Sequence, residues 1–137
     1  MSIDARIQDY FSAFERKDKA AWLALFADDA SLGGPAHTPP ITGQGPLGEL
    51  FTGIAGLFEK IRFEINAVHV CGSFATAEFD VHAQASNGRI GHAEGMVAFA
   101  TNAEGRFTQV AGFWDPAPVF AIASSEAGTS AAVEELR

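Results

Sequence analysis

Basic residues and cysteine are scarce in this chain. Nine lysines and arginines stand against seventeen aspartates and glutamates, which gives a formal net charge of −8. Such a chain repels phosphate backbones, and no cluster of basic residues offsets the repulsion, so nucleic acid is not an expected partner. The only cysteine, Cys71, cannot form an intrachain disulfide, which predicts a reducing, cytoplasmic location.

Long apolar runs and common cofactor motifs are missing as well. No run approaches the roughly 18 apolar residues of a membrane helix, and the N-terminus carries charge from Asp4 onward, unlike a signal peptide. We therefore expect no membrane association. The sequence has no H-x-x-x-H, C-x-x-C, Walker, dinucleotide-binding or G-x-S-x-G pattern. It predicts neither a metal ion nor a cofactor.

Apolar and aromatic residues are plentiful. Hydrophobic residues make up 47% of the 137 residues and include twelve phenylalanines. This content is enough to bury the core of one domain and argues against disorder. We assign residues 1–123 to a single domain and the small and acidic residues 124–137 to a flexible tail.

Apolar side chains at helical spacing predict three helices in the first part of the chain. Ser2 and Asp18 are N-cap candidates for the first two helices, and Pro46 suits the first turn of the third. Glycines and prolines in residues 33–45 predict a loop between the second and third helices.

Strand patterns follow the third helix. Residues 75–85 alternate, with apolar or small side chains at odd positions and polar ones at even positions. The dipeptide Asn87-Gly88 is a strong hairpin signal, and a two-residue turn there pairs Ser86 with Arg89. Three helices followed by a curved antiparallel sheet predict an α+β domain.

The predicted turn determines which side chains share a sheet face. Counting back from it, His82 faces Ala93 and Asp80 faces Gly95. One face then carries titratable groups beside small residues, with Trp114 as an apolar wall, which suits a small-molecule site. Periodicity alone slightly favours the opposite arrangement, in which the even positions meet solvent and the odd positions form the core.

The segment FADDASLGGPAHTPPITG, residues Phe26–Gly43, lies between the second and third helices. With Tyr10 on the first helix and the order of elements, it resembles the ketosteroid isomerase and SnoaL-like branch of the nuclear transport factor 2-like superfamily. That branch has an aromatic-A-D-D-A block, a short strand ending in an acid before proline, and P-x-x-G. The resemblance covers residues 3–114 and implies a cone-like barrel, in which a curved antiparallel sheet packs on three N-terminal helices.

The resemblance also implies that one sheet face lines the pocket and that the other forms the dimer contact. It places the even positions of residues 75–85 on the concave face that lines the pocket. The odd, apolar positions then lie on the convex face, where these folds often dimerise. We therefore expect a homodimer with Phe79, Val81, Met96 and Phe113 near the contact.

Three positions carry ketosteroid isomerase chemistry in the family, and this chain keeps one. Tyr10 matches the tyrosine that donates a hydrogen bond to the substrate oxyanion. Gly34 stands where the family has the aspartate base, and Val97 where it has a protonated aspartate donor. A positioned base contributes about 10²–10⁴-fold to the rate, and one oxyanion donor about 10²–10³-fold. Ketosteroid isomerisation is therefore not expected.

SnoaL-like relatives move the acid–base residues around the same pocket, which implies a cofactor-independent isomerase, cyclase or dehydratase. Its substrate would be a hydrophobic carbonyl or polyketide-like compound. His82 would shuttle the proton, Asp80 would support it and Tyr10 would polarise the substrate oxygen. The expected walls of the pocket are Phe14, Phe26, Val97, Val110 and Trp114.

Other interpretations stay open. The same fold also serves as a non-catalytic small-molecule-binding or dimerisation module, and the missing aspartates favour that alternative. His37 could close over the pocket mouth, or it could be an ordinary solvated loop residue. Asp115 could reach the pocket rim, although Asp-Pro is also a common turn signal.

Overall fold

The computed structural model describes residues 2–34 and 39–123, so His37 and the predicted tail at 124–137 lie outside the described residues. The elements are α1 (Ile3–Glu15), α2 (Lys19–Leu23), β1 (Phe26–Gly33), β2 (Ile41–Thr42), α3 (Gln44–Leu57), β3 (Phe58–Cys71), β4 (Phe74–Ala85), β5 (Ile90–Thr101), β6 (Phe107–Phe113), α4 (Ala117–Phe120) and a 3₁₀ turn (Ala121–Ala123). Within these residues no helix is long and apolar enough to cross a membrane.

The predicted helix caps form. The Ser2 hydroxyl accepts a hydrogen bond from the Ala5 N–H at 3.1 Å, and the Asp18 carboxylate accepts one from the Ala21 N–H at 3.1 Å. Each bond satisfies a backbone donor that has no partner within the first turn of its helix. Because both starts are fixed, α1 and α2 turn their aromatic side chains inward, where Trp22 is fully buried.

Six strands form one sheet in the order β2-β1-β6-β5-β4-β3. The β1–β6 pair is parallel, and the other pairs are antiparallel. The helices pack on the concave face of this curved sheet. The predicted α+β architecture, with three N-terminal helices against a curved sheet, is confirmed.

The turn between β4 and β5 differs from the predicted two-residue turn. The Ala85 N–H donates to the Arg89 carbonyl at 2.9 Å, so three residues form the loop between them. The Gly88 N–H donates to the Ala85 carbonyl at 2.9 Å, and Gly88 itself has φ of +86°. This is a type I turn followed by a left-handed residue, the usual three-residue hairpin.

The extra loop residue shifts the register by one, so the odd-numbered side chains of β4, and not the even-numbered ones, share a face with the odd-numbered side chains of β5. His82 pairs with His92, and Asp80 pairs with Glu94. Every odd-numbered residue from 75 to 85 is buried, and the even-numbered ones are half-exposed or exposed. The predicted register is therefore wrong, and the alternative with the odd positions in the core is correct.

The next hairpin, between β5 and β6, brings two buried residues opposite each other. Val97 pairs with Gly112, and both lie on the face that packs against the helices. The turn repeats the one above: Asn102 N–H donates to the Arg106 carbonyl, and a left-handed glycine precedes the closing residue.

Helix α1 is tied to the edge strand β3 by two side chains. The Phe63 N–H donates to the Glu15 carboxylate at 2.7 Å, and the Lys17 ammonium donates to the Phe58 carbonyl. These bonds satisfy backbone groups that an edge strand otherwise leaves open. They also hold Phe11 against Phe63, with ring centroids 5.0 Å apart.

We predict that Gly53→Ala and Gly56→Ala each raise the free energy of unfolding by up to about 1 kcal/mol. Both glycines are exposed in α3, and an added methyl group would meet no atom within 4 Å. Gly34→Ala is the matched control, because its φ is +81° and its Cβ would lie 2.6 Å from the Gly112 carbonyl oxygen. Urea denaturation should show stabilisation for the first two and destabilisation for the third. Loss of stability in both α3 variants would contradict a regular helix at these positions.

Candidate functional site

A cavity of about 80 Å³ lies between the concave sheet face and the helices. Every layer of the fold contributes a wall: Phe14 from α1, Ile54 from α3, Phe79 from β4, Trp114 after β6 and Phe120 from α4. The lining is almost wholly apolar. Among the described residues it includes no aspartate, glutamate, histidine, lysine or arginine.

Three lining side chains carry a polar hydrogen, namely Tyr10, Trp22 and Trp114. Tyr10 is half-buried, with Phe11 and Phe99 rings edge-on to it at centroid distances of 5.2 Å. Within the described ranges no residue hydrogen-bonds its hydroxyl. Burial raises the pKa of the Tyr10 phenol well above its ordinary value. The hydroxyl therefore stays protonated near neutral pH and can donate a hydrogen bond to a ligand oxygen.

The two positions where the resemblance implies aspartates are filled differently here. Gly34 packs so closely on β6 that a Cβ would lie 2.6 Å from the Gly112 carbonyl oxygen and 2.9 Å from its nitrogen. No side chain fits there unless the backbone moves. Val97 lines the cavity and is 4% exposed. Of the three family positions, only Tyr10 brings a polar group to the cavity.

Half of the site residues predicted from the sequence line the cavity: Tyr10, Phe14, Val97 and Trp114. Phe26 and Val110 are buried in the core next to it and are not part of its surface. Phe26 supports the wall from behind, because its ring packs on that of Trp22 with centroids 4.6 Å apart. A direct contact of these residues with a ligand stays a prediction.

Asp80 and His82 lie on the convex face. The His82 Nε2 is 2.9 Å from a Glu64 carboxylate oxygen, and the His92 Nε2 is 2.8 Å from one of Asp80. The two imidazole rings stack with centroids 4.7 Å apart. Hydrogen bonds from Asn66 and then His92 lower the pKa of Asp80. This network forms on the sheet surface that faces away from the helices.

The prediction that one pocket contains Tyr10, Asp80, His82 and Trp114 is wrong. The one-residue shift at the β4–β5 turn moves Asp80 and His82 to the other face, whereas Tyr10 and Trp114 remain at the cavity. A catalytic role for Asp80 and His82 stays a prediction that this geometry does not support. In the described part of the chain no three His, Cys, Asp or Glu side chains form a metal site.

Sequence reasoning missed the C-terminal wall. Two glycines in β5 let this segment come close to the sheet: a Cβ on Gly95 would lie 2.2 Å from the Trp114 Cβ, and one on Gly91 would lie 3.0 Å from the Pro118 carbonyl oxygen. Glycine inside a strand often marks such an approach, so the pair was a usable signal.

Asp115 forms the turn that begins this C-terminal segment. Its carboxylate accepts a hydrogen bond from the Ala117 N–H at 3.0 Å, which starts α4. The Asn87 side chain then donates to the Ile122 carbonyl at 3.1 Å and holds the far end of the segment. The segment lines the cavity with Pro116, Val119 and Phe120.

Comparison with known proteins identifies the family. The model of the SnoaL-like domain family matches residues 7–110, and the chain belongs to this family. It is 27% identical over 114 residues to a steroid delta-isomerase of Nocardioides simplex, across 83% of this chain and 90% of that protein.

Solved structures share the fold at lower identity. The Δ5-3-ketosteroid isomerase of a Mycobacterium species superimposes with a TM-score of 0.75 at 18% identity, over 85% of this chain and 95% of that one. A Mycobacterium tuberculosis protein in complex with estradiol-17beta-hemisuccinate gives a TM-score of 0.74 at 18% identity, over 82% and 93% of the two chains. Both similarities establish the cone-like fold.

We predict that Tyr10 ionises well above pH 10 in the folded protein and near pH 10 once it is unfolded. Burial raises the pKa in the folded state, so the stabilising contribution is complete below about pH 10 and is lost as the pH rises towards the folded-state pKa. Tyr10 is the only tyrosine, so phenolate absorbance reports on it alone. Tyr10→Phe should abolish the signal. If Tyr10 ionised near pH 10 while the protein stayed folded, its phenol would be exposed to water, and the prediction would be wrong.

Proposed function

We propose that the protein binds one small apolar molecule carrying an oxygen acceptor, and that the described residues of the site supply no base to transform it. The observation behind this proposal is the cavity lining: among the described residues, its titratable side chain is the Tyr10 phenol, which is protonated near neutral pH and is not a base. Apolar surface removed from water stabilises the complex by about 25 cal/mol per Å². The Tyr10 hydroxyl orients the ligand by one hydrogen bond.

The size of the cavity limits the ligand. A volume of about 80 Å³ is smaller than the roughly 150 Å³ of an engineered protein cavity that binds benzene. Sites for drug-sized ligands enclose about 300–1,000 Å³. A ligand with one aromatic ring therefore requires a small movement of the walls, and a steroid-sized ligand requires a larger one. Helix α3, with Leu50 and Ile54 in one wall and four glycines in its length, is the wall we expect to move.

The second candidate function is a cofactor-independent isomerase, cyclase or dehydratase acting on a hydrophobic carbonyl compound. Two observations favour it: Tyr10 is kept at the cavity, and the chain is 27% identical to a steroid delta-isomerase. Gly34 and Val97 argue against it, because the base and one oxyanion donor are missing.

The cytoplasmic location stays a prediction.

We expect acetophenone, a small aromatic ketone, to bind in the cavity. Val97→Phe should fill part of the space and weaken binding by at least about ten-fold, or about 1.4 kcal/mol. His82→Ala, on the convex face, is the matched control and should bind like the wild type. Titration calorimetry measures both, with circular dichroism as a check on folding. The reverse pattern, loss with His82→Ala and none with Val97→Phe, would place the site on the other face.

The catalytic alternative has a separate test. A Δ5-3-ketosteroid incubated with the protein should show no isomerisation at an enzyme-like rate, because the described cavity contains no carboxylate or imidazole to move the proton. Formation of the conjugated ketone is followed by absorbance. Turnover near the median enzyme value of about 10 s⁻¹ would establish the catalytic alternative and reveal a base outside the described lining.

We also propose a homodimer through the convex sheet face. Its support is an apolar area in which Met96 pairs with Phe113 and Ala98 with Ala111; Met96 is 38% and Phe113 50% exposed. Large exposed apolar patches often mark interfaces. The predicted contacts of Phe79 and Val81 are wrong, since both side chains are 3% exposed and face the helices.

Phe113→Glu should convert a dimer to a monomer at micromolar concentration, because a carboxylate would be buried in an apolar interface. Leu57→Glu is the matched control, since Leu57 is 44% exposed at the end of α3, away from this face. Sedimentation velocity distinguishes the two states. A wild-type monomer, or a dimer that survives Phe113→Glu, would contradict the proposed interface.

A further inference from the structure

We propose that Asn87 is a site of spontaneous deamidation, and that its product releases the C-terminal segment, residues 115–122, from the β4–β5 hairpin. The chain has three asparagines, and Asn87 alone precedes a glycine, whereas Asn66 and Asn102 both precede alanine. This modification goes beyond the proposed binding function and does not depend on a bound ligand.

Deamidation needs no reactant other than water. The backbone nitrogen of the next residue attacks the side-chain carbonyl carbon of asparagine and forms a C–N bond. The amide nitrogen leaves as ammonia and takes up the proton that the attacking nitrogen loses. Water then opens the resulting succinimide and leaves aspartate or isoaspartate. Gly88 has no side chain to obstruct the attack, and both Asn87 and Gly88 are exposed in the hairpin loop.

Two hydrogen bonds restrain the reacting groups in the folded protein. The Asn87 side-chain N–H donates to the Ile122 carbonyl at 3.1 Å, and the Gly88 N–H donates to the Ala85 carbonyl at 2.9 Å. The side-chain amide has to leave the Ile122 carbonyl, and the Gly88 nitrogen has to lose its proton, before the new bond forms. The reaction of the folded chain therefore follows a local opening between the hairpin and the C-terminal segment.

Packing of the C-terminal segment keeps this opening rare. Ile122 is buried over Gly91, where an added Cβ would lie 3.2 Å from the Ile122 Cγ2. The Phe120 ring stacks on that of Phe58 with centroids 6.1 Å apart, and both side chains line the cavity. Because this packing holds the Ile122 carbonyl beside Asn87, it slows deamidation.

The product cannot make the same contact with Ile122. An asparagine amide donates through its NH₂ group, whereas a carboxylate only accepts. Aspartate at position 87 would therefore turn a negative oxygen towards the Ile122 carbonyl oxygen. The other hydrogen bond of Asn87 is kept, because the Arg89 N–H donates to its side-chain oxygen at 2.9 Å and a carboxylate accepts that bond too. Conversion to aspartate thus loosens the segment and leaves the loop's own hydrogen bond in place.

Asn102 provides a matched control in the next hairpin. Its side-chain oxygen accepts from the Glu104 N–H and the Arg106 N–H at 3.0 Å each. A carboxylate keeps both of these bonds, since only acceptor oxygens are used. Asn87→Asp and Asn102→Asp therefore make the same chemical change in similar turns, and only the first removes a donor to the C-terminal segment.

Amide hydrogen exchange measures the release of the segment. The Val119 and Phe120 N–H groups both donate to the Pro116 carbonyl at 3.0 Å and report on α4. Asn87→Asp should speed their exchange by about three- to ten-fold, the value of one hydrogen bond, and Asn102→Asp should leave it unchanged. Equal exchange rates in the two variants would overturn the proposed release.

The reaction itself is tested on the wild type at mildly alkaline pH, with peptide mass spectrometry and enzymatic isoaspartate labelling. Asn87 should be converted while Asn66 and Asn102 stay intact. Ile122→Ala, checked for folding by circular dichroism, should speed the conversion by at least about ten-fold, because it removes a buried side chain that holds the segment. An unconverted Asn87 in the wild type, or equal rates in wild type and Ile122→Ala, would overturn the inference.

Discussion

The turn that joins β4 to β5 determines the faces of the sheet on which the rest of the molecule is built. Its three-residue loop needs a left-handed residue, and Gly88 supplies it with φ of +86°. Because side chains alternate along a strand, one loop residue decides which set faces the helices. Burial of Phe79 and Val81 gains about 1.5–3 kcal/mol for each side chain. Burial of Asp80 or His82 without partners would cost several kcal/mol instead.

Close backbone packing leaves no room for a side chain at position 34. Gly34 lies against the backbone of Gly112, and an aspartate there would displace β6. Val97 pairs with the same Gly112 and closes the other polar position with an apolar side chain. Both positions therefore lie against the same residue of β6. The cavity lining is mostly apolar, and the Tyr10 hydroxyl can donate a hydrogen bond to a ligand oxygen.

The convex face has two parts with different physical character. Its charged part contains the stacked pair of His82 and His92 with their carboxylate partners. These side chains lie at the surface, where water screens their contacts, so the contacts have little effect on stability. In the described part of the chain, no element covers the apolar part around Met96 and Phe113. The proposed dimer would bury this apolar part.

Local features were predictable from the sequence because short-range physics determines them. The caps at Ser2 and Asp18 depend on hydrogen bonds within one turn, and the alternation in residues 75–85 is a property of one strand. The family pattern likewise identified Tyr10 as the retained group and Gly34 as a lost one. These predictions concern residues whose relevant neighbours are close in the chain or defined by a motif.

The tertiary structure alone decided which sheet face forms the site. Side chains alternate along β4 whether the loop at Asn87-Gly88 has two or three residues. The burial of the odd-numbered side chains against the helices determines which loop forms. The fit of Gly95 beneath Trp114 and the full burial of Trp22 depend on residues brought together from distant segments. Sequence periodicity carries no information on such distances, because they follow from how whole elements pack.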